Sequence, residues 1–207
     1  MLSGIVIVVL TMLLSPTLLS ATDLDDHAGV LLYSRFGGKI WVLLGHEENF
    51  EVWSDFGGKE KLEDSDDPKA TAMRELMEET RCVYGKKEGC LLNSGKGIHV
   101  DLGEPYKVEN KDSNYHQYIA EVPFVSIPTL MRSKAIEDTG MDAYMWIPLD
   151  TLFSLVKDRQ NKGKYTNIEL PEKYVPRSKN KSRILRKELA RTLDKLRHAK
   201  ERYFPAT

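Results

Sequence analysis

The feature that most constrains this chain is the stretch from residue 52 to residue 81. A short apolar strand, Val52-Trp53-Ser54-Asp55-Phe56, runs into Gly57-Gly58-Lys59, then into an acidic loop over 60–67, then into a helix. Asp67-Pro68 is a capping acid followed by proline at the first helical position, where the missing N–H has no partner to lose. Ala70, Met73, Leu76 and Met77 recur at helical spacing over 69–81, and Met73 and Leu76 point to the side that must be buried. Glu75, Glu78 and Glu79 stand at i, i+3 and i+4, so they crowd one helix face and repel one another. Something positive has to offset them. Hard oxygen ligands at this density suit Mg²⁺ or Mn²⁺. Taken alone, Arg-Glu-x-x-Glu-Glu reads as a solvated acidic face, since such charge runs are common. The strand ending in Gly-Gly changes that judgement, because glycines let a backbone carbonyl approach a cation or a phosphate closely.

The rest of the body supplies a sheet. Residues 28–33 read as a buried strand, and 39–44 as its hairpin partner across Phe36-Gly37-Gly38. Further strands are expected over 98–107, 115–125 and 143–147, with a loop over 86–97. Asp150 is expected to cap a helix over 151–157, and 182–203 reads as one long final helix. Hydrophobic residues are 41% and charged residues 29% of the 207, enough apolar material to bury a core. There is no βαβ regularity and no internal repeat, so the expectation is a compact mixed sheet with helices on its faces.

On the residues just quoted, the chain resembles the Nudix hydrolase family, whose signature is Gly-x5-Glu-x7-Arg-Glu-U-x-Glu-Glu-x-Gly-U, with U a bulky apolar residue. Gly58 looks like the first glycine, and Asp66 stands eight residues before Arg74, where the isolated glutamate is placed. Arg74, Glu75, Leu76, Glu78 and Glu79 match the core in order and spacing, and Cys82 takes the last apolar place. The sequence departs from the pattern in three ways. The Gly58-to-Arg74 spacing is two residues longer. Asp66 replaces glutamate. Arg81 replaces the glycine after the helix, so that either an arginine takes the left-handed cap at about 1 kcal/mol or the helix runs on. The resemblance implies an α/β class fold, a Nudix-like α/β/α sandwich with a mixed β-sheet, over residues 23–160. Residues 161–207 would then be a C-terminal extension with a basic helix.

The resemblance also implies an activity: metal-dependent hydrolysis of a phosphoanhydride bond in a nucleoside-diphosphate-linked substrate. Glu75, Glu78, Glu79 and the Gly58 carbonyl would hold Mg²⁺ or Mn²⁺, and Arg74 would hold a glutamate in place. From spacing alone, Arg74 reads equally as a surface helix charge pair. The proton acceptor would be one of these glutamates or a loop acid, with Glu137, Asp138 and Asp142 as candidates. Lys59 and Tyr144 are candidate substrate contacts, and Tyr115 and Tyr118 are further aromatics in strands. Two other readings stay open: a catalytically silent module that binds a nucleotide or a protein, and an enzyme directed at RNA ends. The five histidines show no paired metal spacing, and no serine stands in an elbow motif.

The termini need separate readings. From residue 5 to residue 19 the chain is almost continuously apolar, with Thr11, Ser15 and Pro16 among the interruptions. A spanning helix usually wants about 20 residues, so residues 1–22 fit a signal peptide better than an anchor. Against this, no Lys or Arg precedes the apolar run and no clean small-x-small site ends it. An exported chain is the expectation, with a membrane-tethered chain or a cytoplasmic one as alternatives. The two cysteines, Cys82 and Cys90, form no CxxC pair and read as free thiols, or as a bridge if the chain is exported. Residues 173–203 hold twelve Lys/Arg against three Asp/Glu, a net +9, leaving −10 on the remainder of a chain whose formal charge is −1. Leu185, Leu189, Leu193 and Leu196 form an apolar stripe there, read first as a docked helix with a solvated basic face. Contact with anionic lipid, RNA or a partner protein is the sharper alternative.

Overall fold

The computed structural model describes residues 27–85, 97–109, 114–133, 139–160, 165, 167–176 and 181–206. The apolar segment before residue 23, Glu137 and Asp138 lie outside them. Strand β1 (His27–Phe36) turns through Gly37-Gly38 into β2 (Lys39–Glu47), with Phe36 paired to Lys39. Both loop glycines have positive φ, 58° and 71°, the mirror-image turn that matches the twist of a hairpin. The hairpin forks. The first half of β1 pairs antiparallel with β4 (Phe56–Lys59), while the far half of β2 pairs with β3 (Val52–Ser54). The strand expected over 52–56 is thus two strands, broken at Asp55.

On the other edge of β1 lies β6 (Asn114–Glu121), parallel to it, followed by β5 (Tyr106–Glu109). Strand β7 (Met141–Pro148) pairs antiparallel with β2. Of the strand expected over 98–107, residue 98 makes only an isolated bridge to Tyr84, and regular pairing starts at Tyr106.

The sheet alternates its side chains between two apolar layers. Val30, Leu32, Leu43, Tyr118 and Trp146 pack on one face against Ala72 and Leu76 of α1 (Pro68–Glu79) and Leu130 of α2 (Ile127–Arg132). Leu31, Tyr33, Val42, Leu44 and Ile147 pack on the other against Leu152, Phe153 and Val156 of α3 (Leu149–Gln160). This is the expected α/β/α sandwich with a mixed sheet. Asp150 falls inside the first turn of α3, where its carbonyl takes the Ser154 hydroxyl, and does not cap the helix.

The C-terminal residues do not form one long helix. β8 (Ile168–Glu169) and β9 (Ile184–Leu185) extend the sheet, with Leu185 parallel to Trp53, before α4 (Lys187–His198) begins; a short α5 (Lys200–Tyr203) follows. Leu189, Ala190, Leu193 and Leu196 are buried in the same layer as α3, so the leucine stripe docks. Among the described residues no helix is long and apolar enough to cross a membrane. Cys82 is disulfide-bonded rather than free, and Cys90, the other cysteine of the chain, lies outside the described residues.

Candidate functional site

The site grows from the crossing of β4 and α1. Asp67 caps the helix, its carboxylate accepting from the Lys69 N–H at 2.9 Å, and Pro68 follows as expected. Helix α1 stops at Glu79. Arg81 and Cys82 both take left-handed conformations (φ 56° and 59°), and the Cys82 N–H returns to the Met77 carbonyl at 2.8 Å. That is the hydrogen-bond pattern of a glycine-terminated helix, formed here with an arginine.

Arg74 is the organising group. Its side chain is only 5% exposed, and its guanidinium spends its donors on four neighbours. Nε and Nη2 grip both oxygens of Asp64 (3.0 and 2.8 Å), and Nη2 also reaches the Lys59 carbonyl at 2.9 Å. Nη1 donates to Glu75 at 2.6 Å and to Glu78 at 3.3 Å. One planar cation therefore ties the acidic loop, the end of β4 and two helix carboxylates together, as a five-donor fork can and an ammonium cannot. Asp64 completes the knot by accepting from the Lys61 N–H and the Thr71 hydroxyl. Burial alone would push the Asp64 carboxyl up, but the Arg74 guanidinium and these donors bring it down to about 2.

The clamp corrects the register of the acidic loop. Counting back from Arg74 puts Asp66 in the place of the isolated glutamate. The acid that meets Arg74 is instead Asp64, five residues beyond the residue after Gly58, while Asp66 is exposed. The two extra residues therefore fall after the acid. Ser65 and Asp66 sit there in consecutive left-handed conformations (φ 57° and 56°), a conformation that aspartate tolerates better than most residues.

The helix acids line both sides of β4. A Cβ on Gly58 would come within 2.5 Å of a Glu75 carboxylate oxygen, so only glycine leaves this carboxylate its place. Glu79 reaches the other way and accepts from the Gly57 N–H at 2.8 Å. Burial raises the Glu79 carboxyl well above its ordinary value, and the nearby Glu75, Glu47 and Asp55 raise it further. Burial likewise raises Glu75 and Glu47, each partly relieved by an arginine: Arg74 for Glu75, Arg186 for Glu47. As they stand, Glu75 and Glu78 turn to Arg74 and Glu79 to the backbone. Among the described residues no three His, Cys, Asp or Glu side chains are gathered as a cation's ligand set. The chemistry of the donors still fits a hard divalent cation: they are carboxylate oxygens, and they are under mutual repulsion that a cation would relieve.

No family model and no curated protein matches this chain. Solved structures do. An Ap4A hydrolase of C. elegans is 17% identical, with 68% of this chain and 92% of that one covered (TM-score 0.40). The Nudix domain of Shewanella oneidensis NrtR, complexed with ADP-ribose, is 14% identical over 68% and 88% (TM-score 0.43). A Nudix-family hydrolase of Clostridium perfringens is 12% identical over 84% and 97% (TM-score 0.46). In this chain a forked mixed sheet lies between helices, a glycine strand end meets a glutamate helix, and a buried arginine joins them. The fold is Nudix-like.

In the Nudix-like frame the other sequence candidates separate. Lys59 contributes its carbonyl to the clamp, while its side chain is exposed. Tyr144 is not an open contact: it is fully buried, and its hydroxyl donates to the Glu79 carbonyl at 2.5 Å, holding the end of α1. Asp142 pairs with the buried His46 at 2.8 Å and with Lys181, which ties β7 to β2 and to the C-terminal residues. Tyr118 packs in the α1 layer. Tyr115 faces the opposite layer and donates to Asp55 at 2.9 Å, as does the Gln117 amide. Glu137 and Asp138 lie outside the described residues.

Sequence reasoning missed Asp64, Glu47, Asp55, Gln117 and Arg186. For Asp64 a signal existed, the five-residue gap counted forward from Gly58. For the rest none did, since isolated polar residues carry no local mark of what they will face.

Proposed function

We propose that this chain is a Nudix-type hydrolase that cleaves a phosphoanhydride bond in a nucleoside-diphosphate-linked substrate with Mg²⁺ or Mn²⁺. The observation that carries this reading is the Arg74 clamp, which fixes the glutamate face of α1 against the glycine end of β4. A solvated acidic face would have no reason to bury its arginine.

Glu75, Glu78, Glu79 and the Gly58 carbonyl would hold the cation. Once bound, it supplies charge neutralisation of the diphosphate and activation of water. The chain's own residues do the rest. Arg74 sets the orientation of Glu75 and Glu78. Glu79, held at the Gly57 N–H beside the proposed cation site, is the candidate to take a proton from water. Gly57 and Gly58 let the Glu79 and Glu75 carboxylates lie close to the β4 backbone.

The test is a panel of nucleoside-diphosphate compounds incubated with and without Mg²⁺ or Mn²⁺, the products identified by mass. Metal-dependent release of a nucleoside monophosphate or phosphate is expected. Glu78→Gln should cut turnover by orders of magnitude and leave the melt at or above wild type. Full activity in that variant removes the ligand assignment. Nucleotide binding without any turnover would favour the silent binding module instead.

A further inference from the structure

Helix α4 is divided along its length. Leu189, Ala190, Leu193 and Leu196 are buried in the layer it shares with α3. Lys187, Arg191 and Lys195 recur every four residues on the other side, Lys187 and Lys195 exposed and Arg191 half-buried. Among the described residues no carboxylate pairs with any of the three. Their neighbours differ: Lys181, Arg183, Arg186, Arg197 and Lys200 each meet one, in Asp142, Glu169, Glu47, Asp194 and Asp150. The acids near the row are engaged or answered. Asp194 also accepts from the Tyr165 hydroxyl at 2.8 Å, and Glu188 stands 3.7 Å from Arg186. Exposed Glu201 is followed by exposed Arg202, and Asp158 of α3 stands between Lys157 and Arg159. What remains is a straight row of uncompensated positive charge about 12 Å long, held rigid by the leucines beneath it.

The surroundings select a partner of opposite charge. Surfaces that bind single-stranded RNA interleave cations with rings on which bases stack. This row has no ring, and Tyr203 beyond its end is packed edge-on against Tyr106 at 5.4 Å. A protein interface has an apolar centre inside its polar rim, but no large apolar side chain of α4 or α5 is exposed. An anionic bilayer asks only for cations in a plane. The apolar run over residues 5–19 favours the same partner. The described body begins at His27, which walls a cavity together with Arg186, Glu188 and Arg191, so the chain enters the fold beside the first turn of α4. Residues 20–26 separate the run from that point, a reach of at most about 25 Å. A basic patch holds best on a membrane when an apolar element acts beside it.

We propose that the Lys187–Arg191–Lys195 row of α4 docks this protein on an anionic phospholipid surface. Helix α1 packs on the opposite face of the sheet, so docking through α4 leaves the glutamate helix on the side away from the lipid. The proposal stands independently of any hydrolase activity.

The test is co-sedimentation with vesicles of phosphatidylcholine, alone or with about 30% phosphatidylserine. The full chain is compared with the chain from Asp23 to Thr207, which keeps every described residue and lacks the apolar run. Each Lys or Arg brought to an anionic leaflet is worth about fivefold in affinity, so the shorter chain should prefer the anionic vesicles about a hundredfold. The preference should vanish as salt rises from about 0.1 M to about 1 M and the screening length falls from about 10 Å to about 3 Å. Joint Lys187→Gln, Arg191→Gln and Lys195→Gln should abolish it. In the full chain the same three changes should weaken binding to anionic vesicles and not to neutral ones. Lys187→Gln with Lys195→Gln alone should cost about 25-fold, and serves if the triple variant does not fold. Joint Lys187→Arg, Arg191→Lys and Lys195→Arg, which keeps the charge, should keep the binding. Joint Lys39→Gln, Lys69→Gln and Arg132→Gln, three exposed cations on other elements, should change it by no more than about twofold. The proposal is overturned if the shorter chain binds neutral and anionic vesicles alike, or if the control triple loses as much as the row. It is equally overturned if oligouridylate or polyglutamate binds the wild type more tightly than the anionic vesicles do, which would assign the row to RNA or to an acidic protein.

Discussion

Replacing Asp64 with asparagine isolates the knot on which the site is built. The amide would keep the shape and one acceptor oxygen but remove the charge that Nε and Nη2 of the 5% exposed Arg74 grip, leaving only the acids on its other side, Glu75 and Glu78, and the more distant Glu63. The Asp64 carboxyl titrates at about 2 against an ordinary 3.8. Its ionised form is therefore favoured in the fold by about 2 kcal/mol. Breaking a buried pair from one side costs about 3–5 kcal/mol in other proteins, so a loss of about 2–4 kcal/mol is expected here. Asp66→Asn is the matched control. It is exposed, and asparagine tolerates the same left-handed conformation, so its effect should stay within about 0.5 kcal/mol. Urea unfolding of the three proteins at pH 7 measures both.

The pH dependence supplies a second check. A carboxyl with a depressed folded-state pKa stabilises fully above its ordinary value, and that contribution is lost as pH falls through the folded value. The gap between wild type and Asp64→Asn should then shrink by about 2 kcal/mol between about pH 5 and about pH 2. A gap that ignores pH, or an Asp66→Asn variant that loses as much as Asp64→Asn, would refute the register.

Other expectations follow from the same geometry. Glu79 has a raised folded-state pKa, so metal-free protein loses stability as pH rises through it; Glu79→Gln should melt higher than wild type at about pH 8 in chelator and equally at about pH 4. Gly57→Ala would put a Cβ 2.6 Å from the Gly29 Cα and 2.7 Å from the Ala28 carbonyl oxygen, backbone that cannot yield. It should lose about 2 kcal/mol or more, while Gly103→Ala, which meets nothing within 4 Å, stays near wild type in the same melts. Removing residues 182–207 takes away three buried leucines of α4, each worth about 2 kcal/mol, a sum comparable to a domain's whole stability; loss of the cooperative transition in circular dichroism is expected.

Much of the frame was legible because its signals are local. A continuous apolar run marked β1, the Gly37-Gly38 pair marked the hairpin, and Asp67-Pro68 with Leu76 and Met77 marked α1. The helix acids and Arg74 were legible because a helix fixes which side chains share a face. The end of α1 was open, since arginine permits either a left-handed cap or continuation, and the Cys82 N–H to Met77 carbonyl bond decided it.

What the sequence determined by itself is therefore periodic and near-neighbour: a mixed sheet with helices on its faces, the glutamate edge and its glycine strand. Only the tertiary structure decided which acid Arg74 grips, because counting forward from Gly58 selects Asp64 and counting back from Arg74 selects Asp66, and the buried contact settles between them. It also decided that Tyr144 braces a helix and that the basic C-terminal residues add strands and wall a cavity. Those outcomes depend on contacts between residues as much as 139 positions apart, such as Arg186 with Glu47. No spacing rule reaches that far, because what sets such a contact is the packing of the whole sheet.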